Sequence, residues 1–426
     1  MRRKKFVIIA AVLCLVAALA TVVISRTLSP VHDSATTPET QEPSPTKTPT
    51  PEESTSEEPT PEATPSTLTI VAAGDVLLHM PVNESARTAT GYDYTDLFSA
   101  VTPYISGADL AICGMETTLA PPGEPPSGYP MFGAPDEIIP SLKTSGWDGC
   151  STANNHSADR GFAALSHNLD VFDENNLGHS GTARSEEEGN QTQFYTVSAG
   201  GRDVKIAHLS YTTVDNWIPG FPGKPWAWNV TTNERATHTV EEIVERSRQA
   251  RDKGADLVVV SYHWGVEYET TPSDEERTVA QQLADSGEID LVFGSHPHVA
   301  QPITKLEGGP DGQGMWIIYS MGNFISDYSG ATFGINTLTG ILATATIDVP
   351  ASGAAHVSNL EWTAVTLDRP THHLYLLADL ESGRYTSTIT AADLAQRRSA
   401  INGIMGTPER TVLPTQASEL VSQERR

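Results

Sequence analysis

Short apolar runs alternate along this chain with segments of helical period. Residues 68–73, 109–113 and 146–150 are brief stretches of strand character, each followed by glycine or polar residues. Runs of that length, bounded in that way, predict β-strands. Residues 161–174 and 240–253 instead space their apolar positions three and four apart, which predicts helices. A strand over 255–262, a helix over 273–286 and a strand over 289–293 continue the series. Strand and helix in alternation predict an α/β layer architecture. Past Pro302 the pattern shifts to closely spaced strands, including 315–320 and 339–349, and predicts a β-rich closing half. One elaborated domain over 67–405, followed by a C-terminal tail over 406–426, accounts for this pattern, because no second proline-rich break divides it.

The N-terminal end follows neither pattern. Arg2, Arg3, Lys4 and Lys5 precede the 19 uncharged residues 6–24. As a helix that run spans roughly 28 Å, close to the hydrocarbon thickness of a bilayer. Residues 1–28 therefore read as a membrane anchor, with the N-terminus inside and the domain extracytoplasmic by the positive-inside rule. The rival reading is a signal segment cleaved after Ala20, since Ala18-Leu19-Ala20 has the small-residue pattern and the protein would then be secreted. Residues 29–66 follow as a stalk rich in Pro, Ser, Thr and Glu. From 30 to 65 they hold nine of the chain's 29 prolines, eight acids and one lysine. Such a segment has little to bury and is expected to be disordered and extended.

Charge narrows the partners. The 426 residues carry a formal net charge of −26. The five N-terminal cations and the −7 of the stalk leave −24 on the residues from Ser66 onward. Nucleic acid is excluded as a partner, because phosphate binding requires clustered cations. Cys14 lies in the apolar run, while Cys113 and Cys150 read as buried free thiols. A disulfide between them would require their strands to be neighbours.

Candidate chemistry gathers where the predicted strands end. The first stops at Gly74-Asp75, the second at Glu116, the third at Asn154-Asn155-His156. Two later strands stop at His263 and at Gly294-Ser295-His296-Pro297-His298. Ligands bind at the carboxyl ends of strands in open α/β sheets, and this donor set of carboxylate, amide and imidazole suits divalent metal. Asp159 reads as the cap of the helix that follows it.

Six motifs occur in order: Gly74-Asp75-Val76, Met115-Glu116, Asn154-Asn155-His156-Ser157-Ala158-Asp159-Arg160-Gly161, His263-Trp264-Gly265-Val266-Glu267-Tyr268, Gly294-Ser295-His296-Pro297-His298 and Ser320-Met321-Gly322-Asn323-Phe324. Over about 68–327 this set resembles the CapA family of poly-γ-glutamate capsule synthesis proteins, which is itself similar to calcineurin-type metallophosphoesterases. The resemblance implies a metallophosphoesterase-like β-sandwich flanked by helices, with two divalent ions at the strand ends. Manganese, iron, zinc and magnesium all fit such a site. It further implies Asp75 and His298 on one metal, Asn155, His263 and His296 on the other, Glu116 bridging them, and His156 as the proton donor. Glu267 and Asn154 would support the ligands or the substrate. Two positions depart from the pattern: Leu77 stands where the wider phosphoesterases have a second histidine, and Gly114 where the family has asparagine. His79 reaches the site only if its loop curls back. The resemblance implies a part in capsule polymer synthesis or export, with the polymer or its membrane-bound synthesis complex as partner. The protein would act either through a metal-dependent phosphoesterase-like hydrolysis or as a non-catalytic scaffold.

Overall fold

The computed structural model describes residues 63–231, 235–416 and 419–426. The anchor-or-signal segment 1–28 and the stalk up to residue 62 lie outside the described residues. No helix among the described residues is long and apolar enough to cross a membrane. The described residues make one compact unit.

That unit opens with β1 (Ser66–Val76), β2 (Leu110–Met115), β3 (Gly149–Ser151), helix α1 (Gly161–Glu174) and β4 (Gly178–Ser180). A hairpin of β5 (Gln193–Ala199) and β6 (Arg202–Thr212) follows, then α2 (Val240–Asp252), β7 (Leu257–His263), α3 (Asp274–Asp285) and β8 (Leu291–Ser295). The closing part contains β9 (Ile303–Leu306), β10 (Met315–Ile318), β11 (Asn323–Ile325), β12 (Thr339–Val349), β13 (His356–Asp368) and β14 (His373–Leu376). Helix α3's successor α4 (Ala391–Met405) and strand β15 (Glu419–Arg425) end the chain. β15 lies within the segment read as a tail and pairs antiparallel with β5.

Two mixed sheets result. The first runs β14-β13-β12-β1-β2-β3-β4, with β11 also paired to β1. The second runs β15-β5-β6-β7-β8-β10-β9. The five strands expected to deliver donors are thus divided, three in one sheet and two in the other, because the β5–β6 hairpin opens the second sheet.

Burial on both faces explains why these strands read as continuous apolar runs. In β1, Leu68, Ile70 and Ala72 enter a core shared with Leu257, Val259, Leu291 and Phe293 of the second sheet. Its alternate residues Val71 and Ala73 pack on the other side with Tyr94, Phe98 and Phe172. Val258 and Val260 of β7 likewise turn away from the shared core, toward Ile243 and Ala250 of α2 and Leu283 of α3. The layers are therefore helices, sheet, sheet and helices. Both long helices of the second sheet start at reciprocal caps. Thr239 Oγ1 accepts from the Glu242 amide at 3.2 Å, and Ser273 Oγ accepts from the Glu276 amide at 3.2 Å.

Cys113 and Cys150 are joined as a disulfide, which corrects the expectation of free thiols. β2 and β3 are parallel neighbours with Cys113 directly opposite Cys150, and their Cα atoms stand 4.4 Å apart.

Candidate metal centre

Strand register brings the donors to one edge. Asp75 of β1 lies opposite Gly114 of β2 and Asn323 of β11. His263, the last residue of β7, lies opposite Ser295, the last residue of β8. The end of β1 is fixed by a close backbone approach, with the Asp75 amide donating to the Gly322 carbonyl at 3.0 Å. A Cβ on Gly74 would stand 2.0 Å from that same oxygen, so only glycine fits. Gly74→Ala is accordingly expected to destabilise the fold by at least the 1–3 kcal/mol (about) of an overpacked core. Calorimetry checks this, and an unchanged unfolding midpoint would contradict it.

The loop after β3 is tied to the end of β2. Asn154 Nδ2 donates to the Met115 carbonyl at 2.8 Å, and its Oδ1 accepts from the His156 amide at 2.9 Å. Asn154 thereby sets the positions of Glu116 and His156 together. Asn155 Oδ1 lies 2.8 Å from His263 Nε2, and His263 Nδ1 lies 3.0 Å from Ser295 Oγ.

The centre itself is buried and short of hydrogen-bond partners. Asp75 and Glu116 are at most 1% exposed, and none of their four carboxylate oxygens accepts a hydrogen bond. Three imidazoles face them. His298 Nδ1 stands 3.2 Å from Asp75 Oδ2, and its Nε2 3.8 Å from Glu116 Oε1. His263 stands 3.8 Å from Asp75 Oδ1 and 3.7 Å from Glu116 Oε1. His296 adds a buried Nδ1 with no hydrogen-bond partner, and its ring centroid is 4.9 Å from that of His263. Glu116, His296 and His298 each offer a ligand atom, all within 4.8 Å of one another. His296 and His298 hold φ of 98° and 59°, a left-handed backbone that non-glycine residues rarely adopt. Such strain concentrates at functional sites.

The electrostatics match this description. Burial first, and the Asp75 charge second, push Glu116 well above the usual carboxylate range. Burial holds His263 and His296 well below the ordinary imidazole value, assisted by their neighbouring histidines. His298 goes the other way: burial is the largest single effect and lowers it, yet the Glu116 charge together with Asp75 lifts it to about 9. Two buried carboxyl groups without hydrogen-bond partners, faced by the imidazoles of His263, His296 and His298, are costly alone and well matched to a divalent cation. The donor set fits a metal.

His156 sits beside the cluster and pairs with Asp159, whose Oδ2 lies 2.8 Å from Nδ1. A carboxylate only accepts, so Nδ1 carries the proton and Nε2 is left free. This corrects the reading of Asp159 as a helix cap: α1 has no side-chain cap, and Asp159 Oδ2 accepts instead from the Phe132 amide and from His156. Glu267 is exposed at the rim and makes no hydrogen bond to a site imidazole, although its charge raises both Glu116 and His298. His79 is turned elsewhere. Its Nδ1 lies 3.2 Å from the Asp327 amide, and its ring packs against Phe132 and Tyr328. Leu77 is buried in that same apolar cluster. At Gly114 a Cβ would stand 2.9 Å from the Gly74 carbonyl oxygen, which leaves no room for a side chain there.

Three residues that support the ligands, Asn323, Ser295 and Asn216, escaped the sequence reading. Asn323 Oδ1 lies 3.0 Å from His298 Nδ1, while its Nδ2 donates to the His298 and Thr337 carbonyls, each at 3.1 Å. Asn323 and Ser295 both fall inside quoted motifs, which is the signal that marks them. Asn216 accepts from Asn155 Nδ2 at 3.3 Å and has no such signal, because a long loop brings it in.

The chain is 27% identical over 267 residues to the capsule biosynthesis protein CapA of Bacillus anthracis, covering 61% of this chain and 60% of that protein. It is 32% identical over 191 residues to the PGA biosynthesis protein CapA of Bacillus subtilis (strain 168), covering 45% and 46% respectively. The matches thus span between about half and three fifths of these relatives' own lengths. Among solved structures, the calcineurin-like phosphoesterase YfkN from Bacillus subtilis aligns with a TM-score of 0.43 at 14% identity, over 80% of this chain and 97% of that one. Agreement that loose carries no residue roles. The family assignment comes from sequence: residues 69–328, including every cluster residue, match the bacterial capsule synthesis protein PGA_cap, and the chain belongs to that family.

Proposed function

We propose that this protein is an accessory factor in the synthesis or export of a poly-γ-glutamate or related capsule polymer, and that its domain carries a divalent-metal centre with phosphoesterase-like hydrolytic chemistry. The names of the Bacillus relatives, a capsule biosynthesis protein and a PGA biosynthesis protein, support the process. One observation carries the chemistry: Asp75 and Glu116 are buried without hydrogen bonds and are faced by His263, His296 and His298. In the proposed site Asp75, Glu116, Asn155, His263, His296 and His298 hold one or two ions. A divalent cation there supplies charge stabilisation for phosphoryl oxygens and activates water. The chain's own groups do the rest. Asn154 and Asn323 fix the ligand loops, and Asp159, accepting from Nδ1, orients the His156 ring so that Nε2, once it too is protonated, can give that proton to the leaving oxygen.

The proposed location is the outer side of a membrane, with residues 1–28 as anchor and 29–66 as stalk. The Cys113–Cys150 disulfide supports an oxidising compartment. The proposed partners are the polymer or its membrane synthesis complex. Leu77, apolar where a ligand would stand, favours a second reading as a non-catalytic scaffold.

His156→Ala separates these readings. A positioned general acid is worth about 10²- to 10⁴-fold in rate. The variant is expected to keep fold and metal, to lose hydrolysis of a generic phosphodiester by that factor, and to lower polymer output in cells. Full hydrolysis by the variant would remove His156 from the reaction. Lost hydrolysis with normal polymer output would establish the scaffold reading.

A further inference from the structure

Beside the loop that carries Asn155 and His156 the surface opens into a cavity of about 180 Å³, lined by parts of 215–230 together with Arg235 and Thr237. Its back wall is Trp228, which packs with Ala153 and Ala158 on either side of those two site residues. Ile218 and Phe221 lie against the same cluster. The stretch is tied to the metal centre at Asn216, whose Oδ1 accepts from Asn155 Nδ2 at 3.3 Å. Asn216 and Trp217 hold φ of 47° and 60°, and Asp215 secures this left-handed turn by accepting from the Trp217 amide at 3.0 Å and from Arg235 Nη2 at 2.7 Å. Ile218, Phe221 and Lys224 are half-buried, so the cavity is reached from solvent.

Among the described residues the lining combines apolar surface with a cation that no carboxylate matches. Its charged members are Asp215, Arg235 and Lys224, and the first two pair with each other. Lys224 has no such pairing among the described residues; its Nζ is held over the rings of Phe162 and Trp226, 4.6 and 5.3 Å from their centroids. The acidity of the domain does not decide what enters, because repulsion from charges beyond the Debye length of about 8 Å is largely screened at physiological salt. The nearest cation and the apolar walls decide it. The volume is below the about 300–1,000 Å³ of pockets that enclose a drug-sized ligand, so the cavity admits one short segment.

We propose that this cavity binds a short segment of an anionic chain whose carboxylates are borne on aliphatic spacers, with one carboxylate on Lys224 and the adjoining methylenes on Ile218 and Phe221. This inference rests on the reading of a polymer as partner, and it puts the contact beside His156 instead of on the metal ligands. It is tested by titrating a short oligo-γ-glutamate, and separately its uncharged oligo-γ-glutamine counterpart, into the purified full-length protein by calorimetry, in EDTA and again in Mn²⁺. The acid is expected to bind in EDTA, and the amide at least about tenfold more weakly. Lys224→Gln should cost the acid about that factor and Lys224→Arg should restore most of it. Lys305→Gln, the same loss of charge at an exposed position outside the cavity, should change affinity by less than about twofold. Equal affinities for acid and amide, or equal weakening by Lys224→Gln and Lys305→Gln, would overturn the cavity and leave the polymer as a partner held elsewhere. Binding seen only in Mn²⁺ would put the chain at the metal centre and likewise overturn the cavity. No binding of the acid in either buffer would overturn the polymer as a direct ligand together with this site, and leave the synthesis complex as the proposed partner.

Discussion

Glu116→Gln is expected to act in opposite directions on the metal-free and metal-loaded protein. Without metal, the Glu116 carboxylate is buried beside Asp75 with neither oxygen hydrogen-bonded. Glutamine keeps the shape and removes the charge, so the metal-free variant should be more stable by about 1–3 kcal/mol. The sign of the pH dependence follows from the raised pKa. A folded carboxyl that titrates above its unfolded value stays protonated after the unfolded one has ionised, so the metal-free wild type loses stability as pH rises through that window. The gain from glutamine should therefore be largest at alkaline pH and vanish in acid, where Glu116 is already neutral. With metal the order reverses. Residues that only support a ligand are worth about 10- to 100-fold in affinity, and an anionic donor is worth at least that. A 100-fold loss corresponds to about 2.7 kcal/mol of metal-dependent stabilisation. Denaturant titrations with and without Mn²⁺ measure both signs, and the same direction in both would contradict the assignment of Glu116.

The second large effect is the response of metal binding to pH. His298 is lifted from the ordinary imidazole value of 6.5 to about 9 in the metal-free protein. Between those values the folded chain holds a proton that the unfolded chain has released. The stability from this proton is complete below about 6.5 and is lost as pH rises through about 9. A cation takes the place of that proton, so apparent affinity should rise by up to about tenfold per pH unit across the window. The thermal shift produced by Mn²⁺ should consequently be small near pH 6 and grow toward pH 9. A shift that is flat over this range would show that His298 is not displaced by metal.

Much of this was legible in the chain. Residues 68–73 and 255–262 read as strands because both faces of β1 and β7 are buried. The expected helices over 161–174 and 273–286 correspond to α1 and α3, the second bounded by the Ser273 cap. The β5–β6 hairpin was not foreseen, since Arg202, Asp203 and Lys205 interrupt the apolar pattern of β6. Helix α4 mixes polar and apolar positions without a clear face, which hides its period. Each donor at the site announced itself as the end of a predicted strand. What sequence does not carry is which strands lie side by side. That ordering sets Cys113 against Cys150 and brings Asn323 onto His298. Similarly, Asp159 has the spacing of a cap, and only the turn of the loop shows that its carboxylate faces His156.

Metal content is the most direct test of the central claim. The purified protein, dialysed against trace divalent metal and assayed by inductively coupled plasma mass spectrometry, is predicted to retain one or two divalent ions per chain. His296→Ala combined with His298→Ala, folded by circular dichroism, is predicted to retain almost none, because the two residues are assigned to separate ions and neither site keeps enough donors. Equal metal content in the wild type and in the folded double variant would contradict the account.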